Sequence, residues 1–171
     1  MRLTPFLMRG ALLQINISPG GIPKYPVPEA MLTPLGVEGD SHAHPNIHGG
    51  ADKAVLVMCA EVIEELAARG YPVFFGALGE NLTTRGLDRR AMRPGQRYRA
   101  GQAVIELTKI RVPCATIEVR GSGILQEIFD QAVKAGDTSS PRWGMSGFYA
   151  AVVHPGVVRQ GDIITLLDEL A

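Results

Sequence analysis

The sequence predicts a mostly β fold with peripheral helices, arranged most simply as a β-barrel. Its 20 glycines and 12 prolines are spread along the 171 residues and divide the chain into short segments. Segments with strand patterns outnumber segments with helical patterns. The composition, 46% hydrophobic and 20% charged, is typical of a globular protein with a buried core. The length fits one domain, which we place at residues 1–171.

Five segments have strand patterns. The first alternates Leu13, Ile15 and Ile17 with polar Gln14 and Asn16, as a half-buried strand does. The second is a short apolar run that is typical of a buried strand, and the third alternates apolar with polar residues. The five predicted strands span residues 10–18, 54–58, 102–112, 147–153 and 163–167.

Two segments have helical patterns. Residues 60–70 place apolar side chains on one face, carry glutamates near the start and end at Gly70. Residues 122–136 continue an apolar stripe from Ser122, a candidate N-cap, to Gly136. The sequence therefore predicts two helices outside the barrel.

The overall charge excludes a general attraction to nucleic acid or to an anionic membrane, and we expect neither as a partner. Seventeen Lys and Arg residues balance seventeen Asp and Glu residues. The charge is uneven, because residues 85–120 hold nine basic and three acidic side chains. This segment could bind a phosphate or carboxylate, although exposed basic residues more often serve solubility.

Two cysteines, Cys59 and Cys114, are too few for a disulfide-stapled scaffold or for an iron–sulfur cluster held by four thiolates of one chain. The first residues lack a signal-peptide pattern, and about 18 consecutive apolar residues, the length of a membrane span, occur nowhere. We therefore expect a cytoplasmic protein.

Cys114 is the candidate reactive group. It follows a predicted strand and Pro113, so its thiol is expected at a strand end, where it can be reached. Arg111, three residues earlier, would favour the thiolate, the form that acts as a nucleophile or soft metal ligand. A buried, inert thiol is the alternative for Cys114. For Cys59, at the start of the first helix, we expect that structural role.

Two glycine-containing loops offer further polar groups. His42, His44 and His48 could bind zinc, but no glutamate follows at the spacing of a zinc hydrolase. Residues 76–87, GALGENLTTRGL, offer Glu80 and Asn81 but match neither a Walker loop nor a dinucleotide-binding loop. Asn81 could equally bond to the backbone of a turn.

Four segments together resemble the MOSC domain family, named after the C-terminal domain of molybdenum cofactor sulfurases. They are GVEGDSHAHPNIHGGADKAV, GALGENLTTRGL, RVPC and GFYAAVVHPGVVRQGDIITLL, and GIPKYPV near the start also fits. The resemblance covers about residues 20–167. It is greatest to stand-alone bacterial members related to the 6-hydroxylaminopurine resistance proteins.

The resemblance implies a MOSC-type β-barrel similar to the barrel domain of pyruvate kinase. It also implies a molybdenum cofactor (molybdopterin), with Cys114 as the residue that ligates molybdenum or carries a persulfide sulfur. Further residues that match family motifs are expected around the cofactor cleft: His48, Gly49, Gly50, Asp52, Lys53, Glu80 and Asn81.

A pterin that carries a phosphate requires cations for the phosphate and amide-type groups for the pterin edge. Candidates for the phosphate are Lys24, Lys53, Arg111 and Arg142, and candidates for the pterin are Asn81 and Thr83. Arg142 could instead be an ordinary surface charge beside Trp143.

The resemblance leaves two functions open. The first is an oxidoreductase that reduces N-hydroxylated compounds, such as hydroxylaminopurines and amidoximes, with electrons from a separate flavin or iron–sulfur reductase. The second is a non-catalytic carrier of sulfur or cofactor, served by a cysteine desulfurase or delivering to an acceptor molybdoenzyme. The chain has no room for a pyridoxal phosphate domain and no ferredoxin pattern. A zinc hydrolase and a binding domain without cofactor are further alternatives.

Overall fold

The structure is a computed structural model that describes residues 8–41 and 50–167. In chain order, its strands are β1 (Arg9–Ile17), β2 (Tyr25–Val27), β3 (Glu29–Thr33), β4 (Gly36–Val37), β5 (Val55–Cys59), β6 (Leu82–Arg85), β7 (Arg97–Ala100), β8 (Ala103–Ile110), β9 (Phe148–His154), β10 (Gly156–Arg159) and β11 (Ile163–Leu166). The helices are α1 (Ala60–Ala68), α2 (Ile124–Ile128) and α3 (Gln131–Lys134), with short 3-10 helices at Ala51–Lys53, Arg89–Ala91 and Ala115–Arg120.

Seven strands close into a mixed barrel. The neighbours follow the order β1, β11, β7, β8, β9, β5 and β6, and β6 pairs again with β1. Only β5 and β6 are parallel among these pairs. The predicted β-barrel is confirmed, and closure removes the unpaired strand edges that an open sheet would expose.

Two smaller elements extend the barrel. Strand β2 pairs with the end of β1. Strands β10, β3 and β4 form a separate three-stranded sheet. The barrel interior is filled by large side chains that are fully buried, among them Leu12, Ile15, Tyr98, Ile105 and Phe148.

All five predicted strands are confirmed within one or two residues at each end. The sequence analysis missed β2, β3, β4, β6, β7 and β10, which have two to five residues each. Such short strands carry too little alternation to be distinguished from loops, and their partners are distant in the chain.

The first predicted helix is confirmed as α1, and Gly70 adopts the positive φ of 95° that favours glycine after a helix end. The prediction of one continuous helix over 122–136 is wrong. The backbone is extended at Phe129, and the Asp130 carboxylate accepts a hydrogen bond from the Val133 N–H at 2.8 Å. The apolar stripe therefore spans two short helices, because Asp130 caps a second helix in the middle of it.

The start of that segment also differs from the prediction. The residue that precedes α2 is Gly123, in the left-handed region at φ 88°, and Ser122 does not cap it. Among the helices of residues 8–41 and 50–167, none has the length and apolar character of a membrane span.

Candidate functional site

A cluster of buried polar side chains lies where β1, β5 and β6 meet. We call it the inner cluster: Asn16, Lys24, Asp40, Glu80, Asn81 and Thr83. Four of these, Lys24, Glu80, Asn81 and Thr83, are residues that the sequence analysis singled out. The fold therefore brings together four of its predicted site residues.

Lys24 and Asp40 form a buried ion pair. The Lys24 Nζ lies 2.6 Å from Asp40 Oδ1, and the side chains are 7% and 3% exposed. Asp40 also accepts hydrogen bonds from the Ser18 N–H and from Asn81 Nδ2, both at 2.9 Å. The Asp40 carboxylate therefore compensates the Lys24 charge, and its remaining hydrogen bonds are made within the protein.

Asn81 connects strands β1 and β5. Its Oδ1 accepts the Leu56 N–H at 3.0 Å, and its Nδ2 donates to the Asn16 carbonyl at 3.2 Å as well as to Asp40. The Asn81 side chain thus forms hydrogen bonds with backbone groups, which was one of the two roles that the sequence analysis considered for it. Its expected role at the pterin edge stays a prediction.

Thr83 is fully buried and accepts a hydrogen bond from Asn16 Nδ2 at 3.1 Å. The same Nδ2 donates to the Glu80 carbonyl at 3.1 Å. Thr83 therefore contributes to the same network that holds β1 against β6. Its expected contact with a pterin stays a prediction.

Glu80 is the one incomplete member of the inner cluster. Its carboxyl is fully buried, and Oε1 accepts the Gly76 N–H. Its other oxygen, Oε2, has no hydrogen-bond partner in the described structure. Burial raises the pKa of Glu80 to about 8, against the opposing effects of the Gly76 hydrogen bond and of the Arg111 and Lys24 charges. Glu80 is therefore mainly protonated at neutral pH.

Gly76 allows the loop before β6 to approach Lys24 closely. Its φ is 96°, and a Cβ atom at this position would overlap the Lys24 carbonyl oxygen. The Lys24 N–H donates to the Gly76 carbonyl at 2.9 Å. Only glycine meets both conditions, because an L side chain is strained at this φ.

A second group, which we call the thiol cluster, consists of Lys53, Arg111, Cys114 and Tyr149. Cys114 is half-buried and directly precedes the 3-10 helix Ala115–Arg120. Its Sγ lies 2.6 Å from Thr116 Oγ1. The expectation of a thiol just beyond a strand end is confirmed, because β8 ends at Ile110.

Arg111 is almost completely buried, with 5% of its surface exposed. Its backbone is fixed to the start of β9, since its N–H donates to the Gly147 carbonyl at 2.9 Å and its carbonyl accepts the Ser146 hydroxyl at 2.6 Å. Its guanidinium donates to the Met58 sulfur at 3.9 Å. In the described structure Arg111 makes no ion pair.

Tyr149 is a residue that the sequence analysis missed. It is 8% exposed, and the Lys53 Nζ lies 5.2 Å from its ring centroid. Burial raises the pKa of Tyr149, the Arg111 charge and a hydrogen bond with Arg111 lower it, and Cys114 raises it. Tyr149 therefore links the two cations to the thiol. It lies in the family-like segment GFYAAVVHPGVVRQGDIITLL, but that resemblance gave it no role, and the pairing of β9 with β5 and β8 reveals its position.

The segment before β5 is partly described. Lys53 lies in the 3-10 helix Ala51–Lys53, and the Asp52 carbonyl accepts the Thr108 hydroxyl at 2.5 Å. Gly50 has a φ of 85°, and a Cβ atom there would meet nothing within 4 Å. Its conformation, rather than crowding, favours glycine.

His42, His44, His48 and Gly49 lie outside the described residues, so the structure does not test their expected roles. Within residues 8–41 and 50–167, no three His, Cys, Asp or Glu side chains are grouped as metal ligands would be.

Arg142 is placed among the α2–α3 residues. Its Nε donates to the Glu127 carbonyl at 3.2 Å, and its guanidinium lies 3.7 Å from Asp130 Oδ2. These contacts fix the loop after α3 to the end of α2. Its described contacts include no member of the inner cluster or the thiol cluster, and its expected phosphate contact stays a prediction.

Cys59 has the structural environment that the sequence analysis expected. It is 4% exposed in the hydrophobic core, and burial raises its pKa to about 11. Cys59 is therefore mainly an unreactive thiol at neutral pH, whereas Cys114 is the accessible one.

Comparisons with known proteins agree with the fold and the motifs. Residues 44–165 match the MOSC domain. The chain is 34% identical over 151 residues to the uncharacterized protein YflK of Bacillus subtilis, covering 86% of this chain and 63% of the relative. It is 33% identical over 151 residues to the protein YiiM of Escherichia coli, covering 84% of this chain and 61% of the relative. The chain thus spans somewhat less than two thirds of these two relatives.

Solved structures have the same architecture. The crystal structure of YiiM from Geobacillus stearothermophilus superposes with a TM-score of 0.67 and 25% identity, covering 93% of this chain and 75% of the other. YiiM from Escherichia coli gives a TM-score of 0.64 at 25% identity, covering 93% of this chain and 70% of the other. Together with the barrel, the RVPC segment at the end of β8 and the GEN segment before β6, these matches show that the chain belongs to the MOSC domain family.

Proposed function

We propose that this protein binds a molybdenum cofactor and reduces N-hydroxylated compounds to the corresponding amine or amidine. The observation that carries the proposal is the accessible Cys114 thiol, which interacts electrostatically with Tyr149, the side chain that also interacts with Arg111 and Lys53. A thiolate is a soft ligand suited to molybdenum, and the neighbouring cations suit an anionic cofactor.

The residues present fit such a cofactor. A pterin edge carries N–H donors and ring acceptors, and Glu80 Oε2 is a buried polar atom without a partner in the described structure. A protonated carboxyl can donate one hydrogen bond and accept others. An unsatisfied buried carboxyl is costly, so a ligand that completes its hydrogen bonds would be stabilised there.

Four side chains of this protein would then have separate roles in binding the cofactor. Cys114 would hold the metal, Arg111 and Lys53 would bind anionic groups, and Glu80 would bind the pterin edge. The bound cofactor would supply two-electron oxygen-atom transfer chemistry. Arg111 and Tyr149, both largely buried, would position the substrate and exclude water from the thiol side of the cleft.

The reaction needs electrons and protons from outside the substrate. Reduction of R–NHOH to R–NH₂ breaks the N–O bond, consumes two electrons and two protons, and releases water. A separate flavin or iron–sulfur reductase is the proposed electron source. Solvent supplies the protons.

The experiment that tests the cofactor is metal analysis combined with pterin fluorescence after oxidation. Protein is produced in a molybdenum-replete host and purified without oxygen, as wild type and as Cys114→Ala. We expect molybdenum and pterin near one per chain in wild type and a sharp loss in the variant. Cys59→Ala is the matched control, because this thiol is buried in the core and should leave the metal content unchanged.

The activity is tested with an artificial electron donor and a hydroxylaminopurine or amidoxime. A reduction rate that Cys114→Ala leaves unchanged would contradict the proposal. A molybdenum-loaded protein that reduces neither substrate but transfers labelled sulfur or cofactor to an acceptor molybdoenzyme would identify a carrier instead.

A further inference from the structure

A cavity of about 490 Å³ lies between the β7–β8 turn and the β10–β11 turn. Its volume is in the range of small-molecule sites, about 300–1,000 Å³. Six side chains line it: Arg99, Gln102, Arg159, Asp162, Ile163 and Thr165. None of these is a site residue that the sequence analysis predicted.

The cavity is remote from Cys114. Gln102 lies just before the start of β8, whereas Cys114 follows the end of that strand at Ile110. The eight residues of β8 alone span roughly 23 Å, at about 3.3 Å per residue. A ligand in the cavity would therefore occupy a second site, and its binding does not depend on the proposed function.

Contacts between the two turns fix the shape of the cavity. The Gly101 N–H donates to the Ile163 carbonyl at 3.2 Å, and Asp162 Oδ2 accepts the Arg159 N–H at 2.7 Å. A Cβ atom on Gly101 would overlap Asp162 Oδ2, and the φ of 54° also favours glycine. The cavity is therefore formed before a ligand binds.

Three polar side chains of the lining are available to a ligand. Within residues 8–41 and 50–167, the side chains of Arg99, Gln102 and Thr165 make no hydrogen bond and no ion pair. A guanidinium, an amide and a hydroxyl with unused donors thus line one cavity.

Strand pairing places a second arginine near Arg99. Thr165 in β11 is opposite Arg99 in β7 and opposite Arg9 in β1. Residues directly opposite in antiparallel strands lie on the same face of the sheet, about 4.5–5.5 Å apart. Two arginines therefore flank Thr165, and neither forms an ion pair in the described part of the chain.

The charges around the cavity favour an anion with one negative charge. Three positive side chains face two negative ones: Arg9, Arg99 and Arg159 against Asp162 and Glu29. Glu29 compensates Arg159 at 2.9 Å. The planar fork of a guanidinium matches a carboxylate, and the small excess of positive charge suits a monoanion better than a phosphate dianion.

We propose that this cavity binds a small organic carboxylate that carries an apolar group. Arg99 pairs with the carboxylate, and Gln102 and Thr165 donate further hydrogen bonds to it. Ile163, which is 47% exposed, packs against the apolar group.

The test uses benzoate and its neutral analogue benzamide with the purified protein. Binding is followed at constant ionic strength by amide chemical shifts in nuclear magnetic resonance. We expect benzoate to shift the signals of Gly101, Gly161 and Ile163 saturably, with a dissociation constant on the order of 1 mM, and benzamide to bind about tenfold more weakly. Equal binding of benzamide, or shifts scattered over the surface, would overturn the proposal. Tighter binding of phenyl phosphate than of benzoate would overturn the assignment to a carboxylate.

A pair of arginine variants tests the positive charge. Arg99→Gln should weaken benzoate binding about tenfold. Arg97→Gln is the matched control, because Arg97 is exposed on the same face of β7 but pairs with Glu106 at 2.9 Å and does not line the cavity. Unchanged affinity in folded Arg99→Gln, or an equal loss in both variants, would overturn the proposal.

A second pair of variants tests the apolar contact. Ile163→Thr should weaken benzoate binding about 3- to 5-fold and leave acetate, which lacks the apolar ring, unaffected. Val153→Thr is the control, because Val153 is 40% exposed in β9 and outside the lining. Unchanged benzoate affinity in Ile163→Thr would show that the cavity does not hold the apolar group.

Discussion

The inner cluster and the thiol cluster contain similar groups but differ in how completely those groups are paired. In the inner cluster, Asp40 compensates Lys24 at 2.6 Å, and the Asn81 side chain bonds to backbone groups of two strands. In the thiol cluster, Arg111 is equally buried, yet in the described structure it bonds to neutral groups.

This difference separates residues that hold the barrel from residues that can bind a ligand. A network whose donors and acceptors are paired gains little from a further partner, and breaking it leaves buried charges uncompensated. A buried cation without an anion gains from a ligand, and its neighbours can be changed at small cost to folding. Substitutions of the paired members of the inner cluster should therefore affect stability, and substitutions in the thiol cluster should affect binding; Glu80, whose Oε2 has no partner in the described structure, is the exception within the inner cluster.

The largest loss of stability is expected for Asp40→Ala. The substitution leaves Lys24 buried without a counter-charge and removes one of the two acceptors of Asn81 Nδ2. We expect unfolding in urea to show a loss of about 3–5 kcal/mol. The control is Glu29→Ala, whose ion pair with Arg159 is more than half exposed and should contribute little. Equal losses in both variants would remove the distinction between buried and exposed pairs.

Gly76→Ala should destabilise the fold by about 2 kcal/mol or more. The new Cβ would overlap the Lys24 carbonyl oxygen at a φ of 96°. Gly95→Ala is the matched control, because its φ is 93° but nothing lies within 4 Å of the added atom. Thermal unfolding measures both, and the excess loss at Gly76 reports the close approach alone. Equal losses would show that the loop can move away from Lys24.

Glu80→Gln should change how stability depends on pH. Because the folded protein holds the Glu80 proton up to a pKa of about 8, against an ordinary pKa of 4.5, its contribution to wild-type stability is lost as pH rises between these values. Glutamine does not titrate. The free energy of unfolding of the variant, relative to wild type, should therefore rise on the order of 4 kcal/mol from pH 4.5 to pH 8.

Chemical denaturation across this pH range tests the change at Glu80. Asn16→Ala, which removes a different buried member of the inner cluster, serves as control because it should lower stability by the same amount at each pH. A pH-independent difference between Glu80→Gln and wild type would mean that folding does not shift the pKa of Glu80.

Tyr149→Phe should have the smallest effect on stability, about 1 kcal/mol or less. The ring remains, so the packing and the Lys53 contact at 5.2 Å are retained, and one hydroxyl is lost. Urea unfolding measures the change. A loss as large as that of Asp40→Ala would place Tyr149 among the residues that hold the barrel and would remove the contrast between the clusters.

The sequence by itself determined the β architecture, the five longer strands, the position of Cys114 after a strand and the burial of Cys59. These features follow from local patterns: alternating apolar residues, a proline that follows a strand and an apolar segment at a helix start. The family motifs also singled out Lys53, Glu80 and Asn81, and the chemistry of the cofactor singled out Lys24, Thr83 and Arg111. Their grouping around one cofactor stays a prediction. Local pattern failed at 122–136, because the cap at Asp130 outweighs a continuous apolar stripe.

Only the tertiary structure decided how these residues are grouped. Asp40 and Asn81 meet across 41 positions of the chain, and Tyr149 reaches Lys53 and Arg111 through strand pairing. Pairing between distant strands determines whether a buried charge has a partner, and this cannot be inferred from spacing along the chain. The compensation of Lys24 and the uncompensated charge of Arg111 are therefore properties of the folded barrel.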